Sequence, residues 1–228
     1  MLSAIIVAAG SSRRVGFDKL FTPIAGKPVI AHTIAAFERS PSVNQIIIVA
    51  REDRHAAIQE IVRDEKFRKV CAVVAGGEHR QDSVQAGLQS LGKDARYVAV
   101  HDAARPLVTS DQIELVFAKC REVGAATLAE PISDTVKRAG SDMVVSDSVD
   151  RSRLYAMQTP QIFERALLDE GYRAVAAKKS AVTDEVSVAE QLGRKIALVV
   201  SDQLNFKITF ARDLPLADFV LRQRGANG

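Results

Sequence analysis

The chain of 228 residues has no tryptophan, few aromatic residues (5%) and only two cysteines, Cys71 and Cys120. Two thiols are too few for a disulfide framework or a metal cluster, which excludes a small secreted scaffold and a zinc module. The four histidines, His32, His55, His79 and His101, show no ligand spacing for zinc either. Long apolar runs are missing: the stretch from Ala4 to Ala9 is far shorter than the roughly 20 residues needed to cross a bilayer. It has no basic segment before it and no cleavage pattern after it, so no membrane role is expected and the expected compartment is the reducing cytoplasm. Charge of one sign is scarce as well. Basic residues exceed acidic ones by only 31 to 28, and they are scattered among acids without interleaved aromatics, which argues against a nucleic-acid partner. The slight basic excess suits small phosphorylated ligands.

What the sequence does have is alternation. Residues 2 to 9 form a near-continuous apolar run closed by Gly10, the pattern of a strand buried on both faces. Gln45 to Ala50, Val70 to Ala75, Tyr97 to Val100, Ala125 to Ala129 and Ile196 to Val200 repeat it. Between them, apolar residues recur at helical spacing: Val29, Ile30, Thr33, Ile34 and Phe37 after Pro28; Ile58, Ile61 and Val62; Val84, Leu88 and Leu91; Ile113, Val116 and Phe117. Strand–helix alternation predicts an α/β fold, a Rossmann-like, mostly parallel sheet with helices on both faces, because parallel neighbours need crossover connections. Ligands of such sheets gather beyond the carboxyl ends of the strands. No repeat, low-complexity tract or linker divides the chain, so residues 1–228 are expected to form one domain.

One segment breaks the rhythm. Over residues 131–153 the apolar periodicity thins, and Asp134–Arg138 and Met143–Ser146 flank the turn-forming Ala139–Asp142. This predicts a protruding β-hairpin arm. An isolated two-stranded ribbon is marginal in water, so it should lean on another surface, and a second copy of the chain is the economical choice. A homodimer joined through the arm is the expectation.

Several polar segments follow strands. Ala8-Ala9-Gly10-Ser11-Ser12-Arg13-Arg14, with Lys19 beyond it, offers small residues that let backbone amides approach a phosphate chain, and Arg14 and Lys19 to neutralise its charge. It is neither a Walker loop nor a dinucleotide fingerprint. The alternative is a plain turn with solvated arginines. His101-Asp102-Ala103-Ala104-Arg105-Pro106 follows another strand: Asp102 suits a ribose hydroxyl or a magnesium ion, and Arg105 a phosphate. The competing reading is an Asp–Arg turn clamp, and for His101 a packed structural role is favoured. Gly76-Gly77-Glu78, with Arg80, Asp82 and Ser83 opening a helix, offers amides and a hydroxyl to a flat ring or its sugar, or is simply a turn and helix start. Thr183-Asp184-Glu185 reads as a helix N-terminus capped by Thr183, a place that also holds anions. No serine sits in a nucleophile-elbow sequence.

These segments, together with Asp150-Arg151, Gln158-Thr159-Pro160-Gln161 and Asn205 to Thr209, resemble the 2-C-methyl-D-erythritol 4-phosphate cytidylyltransferase family, in the family's order, from Ile5 to about Phe219. The resemblance implies a magnesium-dependent reaction of CTP with methylerythritol phosphate, giving the CDP-linked alcohol and pyrophosphate for non-mevalonate isoprenoid synthesis. It implies a nucleotide site of Ala8, Ala9, Gly10, Gly77, Glu78, Ser83, Asp102 and Ala103, and catalytic roles for Arg14, Lys19, Arg151 and Lys207. It further implies that Arg105, Thr135, Thr159, Thr183 and Lys207 surround the sugar-alcohol phosphate, with Arg151 reaching across from the partner and Asp102 as the candidate metal ligand. Because the chain stops at Gly228, the expected form is the one without a fused cyclase domain. The sequence departs from the family at Lys19, where many members place proline before the lysine and glutamine after it. Here Asp18 and Leu20 flank it, and aspartate does not fix φ as proline does.

Three rival readings stand beside this one. A ribitol 5-phosphate cytidylyltransferase shares the glycine loop and the histidine–aspartate motif; Thr183-Asp184-Glu185, Asp150-Arg151 and Met157-Gln158-Thr159 resemble the methylerythritol version more closely. A catalytically silent nucleotide-binding module uses the same fold, but the presence of both Arg14 and Lys19 counts against it. A nucleic-acid binder lacks the basic stripe it needs.

Overall fold

The computed structural model describes residues 1–10, 16–178 and 182–226. The chain runs β1 (Leu2–Ala8), a small hairpin of β2 (Pro23–Ile24) and β3 (Lys27–Pro28), α1 (Val29–Arg39), β4 (Val43–Ala50), a 3-10 turn (Glu52–Arg54) and α2 (His55–Asp64). There follow β5 (Val70–Ala75), α3 (Arg80–Ser90), β6 (Tyr97–Asp102), α4 (Ser110–Val123) and β7 (Ala125–Pro131). The arm carries β8 (Lys137–Ala139) and β9 (Val145–Ser148), and the remainder is β10 (Tyr155–Glu164), α5 (Arg165–Lys178), α6 (Glu185–Glu190), β11 (Ala197–Val200) and α7 (Asp213–Ala226).

Seven strands form one sheet in the order β11-β7-β10-β6-β1-β4-β5. β1, β4, β5, β6, β7 and β11 run one way, and β10 alone runs against its neighbours β6 and β7. The expected mostly parallel α/β sheet is therefore the observed one. Alternation along each strand divides the core into two layers. Ala4 and Ile6 of β1 and Ile46 and Ile48 of β4 pack with Ile30, Ile34 and Phe37 of α1 and Ile113 and Val116 of α4. Ile5, Ile47 and Val49 face the opposite side, against Val84 and Leu88 of α3. Consecutive isoleucines in β4 thus serve both faces, which is why these strands read as unbroken apolar runs.

Helix ends follow local chemistry. In α4 the Thr109 hydroxyl accepts from the Gln112 amide while the Gln112 side chain accepts from the Thr109 amide, a reciprocal cap. Gly124 ends that helix at φ +87°, a left-handed conformation that glycine adopts without a Cβ penalty. At α6 the cap is Asp184, whose carboxylate accepts from the Ser187 amide at 3.0 Å. This corrects the assignment of the cap to Thr183 by one residue; the carboxylate is the charged acceptor, and the Thr183 hydroxyl lies 3.4 Å from the Ser187 hydroxyl instead.

Two further differences bear on the site. His101 and Asp102 belong to β6 rather than to the loop after it, because β6 pairs with β1 as far as Val7 opposite Asp102. β10 has no counterpart in the sequence reading, since Pro160 argues against a central strand. The structure accommodates the proline, in a cis Thr159–Pro160 bond, where the β10–β7 register breaks between Met157 and Gln161. The arm exists, with shorter strands than the patterning predicts: Gly140 and Val144 close the turn, and Met143 and Val144 are exposed. Its ribbon is separate from the main sheet.

Close packing of α3 on the sheet depends on Gly87, where an added Cβ would lie 2.6 Å from Cγ2 of Ile5 and 3.1 Å from Cγ2 of Val49. Gly87→Val should lower the unfolding free energy by about 1–3 kcal/mol, the usual cost of overpacking a core. A urea titration reads this as a lower midpoint at unchanged slope.

Candidate active site

The chain leaves β1 towards β4 and β5 and returns to β6 on the other side of β1. Crossovers that diverge in this way open a crevice at the carboxyl ends of the two central strands. A cleft of about 860 Å³ fills it, lined by Ala8, Ala9 and Gly10 on one wall, Gly77, Glu78 and Ser83 on another, and the side chains of Lys19 and Lys207. A smaller cleft of about 240 Å³ has Arg105, Gln158, Thr159, Gln161, Thr183 and Asp184 in its walls. Arg80, Asp102 and Lys207 line both.

The walls are shaped by small residues. A Cβ on Gly76 would sit 2.6 Å from Cβ of Ala9, so the glycine turn closes directly onto the end of β1. A Cβ on Gly77 would meet Cβ of Asp82 at 2.3 Å. The Ser83 hydroxyl accepts from the Gly77 amide and donates to the His79 carbonyl, each at 3.2 Å. Ser83 thereby fixes the turn as well as lining the cleft.

Charge is concentrated at the seam between the clefts. Asp102 lies 2.9 Å from Nζ of Lys207, 3.4 Å from Nε of Arg80 and 3.5 Å from Nε of Arg105. Burial alone pushes its carboxyl up, but Lys207, Arg80 and Arg105 together hold it well below the usual carboxylate range. Arg80 also donates to the buried Glu185 at 2.8 Å. Burial opposes its charge, yet Glu185 and Asp102 raise its pKa further, so the guanidinium stays protonated. Lys19 reaches across to donate to the Ile208 carbonyl at 2.6 Å. That ties the loop after β1 to the segment carrying Lys207, which Ile208 anchors to the Ala104 carbonyl at 2.8 Å.

His101 stands behind this seam. It is fully buried, and its ring packs against Phe37 at a centroid distance of 5.0 Å with the planes tilted by 56°. Its Nε2 faces the Arg105 carbonyl at 3.3 Å, and since a carbonyl only accepts, Nε2 carries the proton. Nδ1 then accepts from the Thr159 hydroxyl at 3.0 Å, which in turn accepts from the Asp102 amide at 3.1 Å. Desolvation pushes the imidazole down to about 3 and keeps it neutral. The structural role favoured for His101 is the one observed.

Of the residues expected at the site, Ala8, Ala9, Gly10, Lys19, Gly77, Glu78, Ser83, Asp102 and Lys207 line the larger cleft. Arg105, Thr159 and Thr183 line the smaller one. Ala103 lies behind the lining, its amide donating to Val7 and its carbonyl accepting from Thr33, while Ala104 takes its place on the wall. Thr135 and Arg151 are exposed at the base of the arm and line neither cleft of their own chain. Arg14 lies outside the described residues. In the sequence Arg80 reads only as part of a helix start; its partner acids Asp102 and Glu185 lie 22 and 105 positions away, which gives no spacing signal along the chain. Asn205 carries no signal of its own in the sequence, and its Nδ2 supports the small cleft by donating to the Gln158 side-chain oxygen and to the Thr159 carbonyl.

Comparison with known families decides what this arrangement belongs to. A model of the 2-C-methyl-D-erythritol 4-phosphate cytidylyltransferase family matches residues 2–223. The chain belongs to this family. It is similar to the 2-C-methyl-D-erythritol 4-phosphate cytidylyltransferase of Pelotomaculum thermopropionicum, at 39% identity over 226 residues covering 98% of this chain and 95% of that one. The Dehalococcoides mccartyi (strain 195) cytidylyltransferase is 37% identical over 97% of this chain and 96% of its own. Among solved structures, the 4-diphosphocytidyl-2C-methyl-D-erythritol synthase of Anaerococcus prevotii superposes with a TM-score of 0.85 at 30% identity, covering 97% of this chain and 98% of that chain. The cytidylyltransferase family is one of nucleotidyltransferase enzymes, so the reading as a catalytically silent binding module falls away.

The neutral His101 makes stability depend on pH. In the unfolded chain the imidazole takes a proton near pH 6.5, whereas in the folded protein it resists until about 3. The unfolded state therefore binds more protons in this window, and stability falls on acidification from about 6.5 with a slope approaching about 1.4 kcal/mol per pH unit. Asp102, whose pKa is lowered from 3.8, adds a further loss below that value. Chemical denaturation between pH 6.5 and 4 should show this slope, and His101→Gln should flatten it.

Proposed function

We propose that the enzyme transfers a cytidylyl group from CTP to 2-C-methyl-D-erythritol 4-phosphate, releasing pyrophosphate, as a step of non-mevalonate isoprenoid precursor synthesis. One observation carries this reading: two clefts of unequal size share Arg80, Asp102 and Lys207. The larger suits a nucleoside triphosphate and the smaller a sugar-alcohol phosphate, so the two anions meet at the cationic seam. Family membership over residues 2–223 supports these substrates among nucleotidyl transfers.

The chemistry follows from charge. An oxygen of the acceptor phosphate is already an anion and needs no general base. It bonds to the α-phosphorus of CTP while the bond from that phosphorus to the β-phosphate bridging oxygen breaks, and the electron pair leaves with pyrophosphate. Repulsion between the two anions is the main obstacle, so catalysis consists of holding them in line and offsetting the charge that develops. Lys19 on the wall of the larger cleft is placed beside the triphosphate, with Arg14 assigned the same role. Lys207 and Arg105 face the incoming phosphate. The glycine turn and the end of β1 present a narrow slot with backbone groups for the cytosine ring and ribose.

A magnesium ion fits this scheme. Asp102 is kept ionised, and no group of three or more His, Cys, Asp or Glu side chains able to hold a metal exists among the described residues. Magnesium sites commonly use one or two carboxylates and complete their shell with substrate phosphates and water. Asp102 is the protein ligand in this reading, and the ion would neutralise the triphosphate and stabilise the departing pyrophosphate.

The arm belongs to the same proposal. Its exposed apolar residues Met143, Val144 and Val145 and the absence of Thr135 and Arg151 from both clefts of their own chain suit a homodimer in which Thr135 and Arg151 reach the partner's acceptor cleft. A cytoplasmic setting accords with two free cysteines, and no helix among the described residues is long and apolar enough to cross a membrane.

A pyrophosphate-release assay tests the reading. Release should require CTP, methylerythritol phosphate and magnesium together, and preferential turnover of ribitol 5-phosphate would replace the acceptor. Lys19→Ala should lower kcat by about two to three orders of magnitude, the usual loss for one transition-state donor. Arg151→Ala subunits mixed with Lys19→Ala subunits should recover part of the activity, because each mixed dimer then holds one complete site; no recovery in verified mixed dimers would place Arg151 within a single chain's site.

A further inference from the structure

Arg54 closes the 3-10 turn after β4, and its side chain is 3% exposed, an unusual degree of burial for a guanidinium. Its Nε donates to Oδ2 of Asp18 at 2.6 Å, and its Nη1 donates to the carbonyl of Ala8, the last residue of β1. The other carboxylate oxygen of Asp18 accepts from the Leu20 amide at 3.3 Å, and the Asp18 carbonyl accepts from the Phe21 amide at 3.3 Å. A single planar fork therefore joins the end of the central strand to the residue before Lys19. Neither Asp18 nor Arg54 lines a cleft. An ion pair with one buried and one half-buried partner is a weak source of stability, because desolvation offsets much of the attraction. What the fork does supply is a fixed distance between two walls of the nucleotide cleft, one holding Ala8 to Gly10 and the other presenting Lys19.

We propose that the Asp18–Arg54 pair is a positioning device that sets where the Lys19 ammonium stands relative to the end of β1. This rests on the reading of Lys19 as a cation that acts in the transition state. The pair acts through Lys19 alone: it constrains the loop on one side of the lysine, while the Ile208 carbonyl receives the ammonium on the other. Aspartate before the lysine fixes the loop through a side-chain ion pair, without constraining its own φ.

The test is a mutant cycle in the full-length enzyme, read by steady-state kinetics with CTP and methylerythritol phosphate and by thermal midpoint. Asp18→Asn, which keeps the shape and removes the charge, should lower kcat by about 10- to 100-fold, the range expected when a catalytic group is displaced by about an ångström. The KM for CTP should change less than about threefold on the same argument. Arg54→Lys, which keeps a cation but loses the fork, should reproduce this split from the opposite partner. In the Lys19→Ala background, Asp18→Asn should cost nothing further, because there is no ammonium left to position. A kcat penalty of equal size in both backgrounds would overturn the proposal while leaving the Lys19 role intact. A lower thermal midpoint with unchanged kcat would also overturn it, making the pair merely structural. An unchanged kcat in Lys19→Ala alone would overturn the Lys19 reading and the proposal with it.

Discussion

A single buried carboxylate organises this molecule's polar interior. Asp102 sits at the carboxyl end of β6 and draws Lys207, Arg80 and Arg105 to within ion-pair distance. Each of those cations comes from a different element: the segment after β11, the start of α3 and the loop after β6. Without the carboxylate, three like charges would face one another in a partly buried crevice. With it, they form a ring that remains net positive and open to anions on both sides. The neutral His101 behind it, held by Thr159 and the Arg105 carbonyl, braces the same strand without adding a fourth charge.

Much of this frame was legible in the sequence, for physical reasons that also mark where legibility ended. Strands such as β1 and β4 are buried on both faces and therefore spell continuous apolar runs. The glycine turn at Gly76 and Gly77 and the Asp102–Arg105 segment were visible because parallel sheets put their ligand groups after strands. β10 was hidden because Pro160 contradicts a ladder, and only the register break makes room for it. Arg54 was hidden in a different way: Arg51-Glu52-Asp53-Arg54 reads as a solvated polar turn. Nothing along the chain says that Arg51 pairs outside with Asp53 while Arg54 folds inward to Asp18, 36 positions away. Cap positions show the same limit on a smaller scale, with Asp184 taking the role that the order Thr-Asp-Glu assigns to Thr183.

The two clefts divide recognition between different kinds of structure. The larger cleft is built from backbone approached through small residues, with Gly76 pressed against Ala9. The smaller cleft is built from amide and hydroxyl side chains that are themselves cross-braced: Gln161 accepts from the amides of Glu185 and Val186, and its Nε2 donates to Asp184. Shape selects on one side, and an oriented polar lattice on the other. The Arg80 side chain, tied to Glu185 and Asp102, is the physical link between them.

The arm departs from the sheet between β7 and β10, and these strands still pair at its root, where Pro131 lies opposite Tyr155 and the Ile132 amide donates to the Leu154 carbonyl. β10 then continues directly into Gln158, Thr159 and Gln161, the floor of the smaller cleft. Tip, root and floor follow one another along the chain, the tip on its own two-stranded ribbon and the root and floor on the main sheet, with no glycine between Arg151 and Gln161. A load on the arm reaches the main sheet through the Pro131–Tyr155 root, at the start of the strand that floors the smaller cleft.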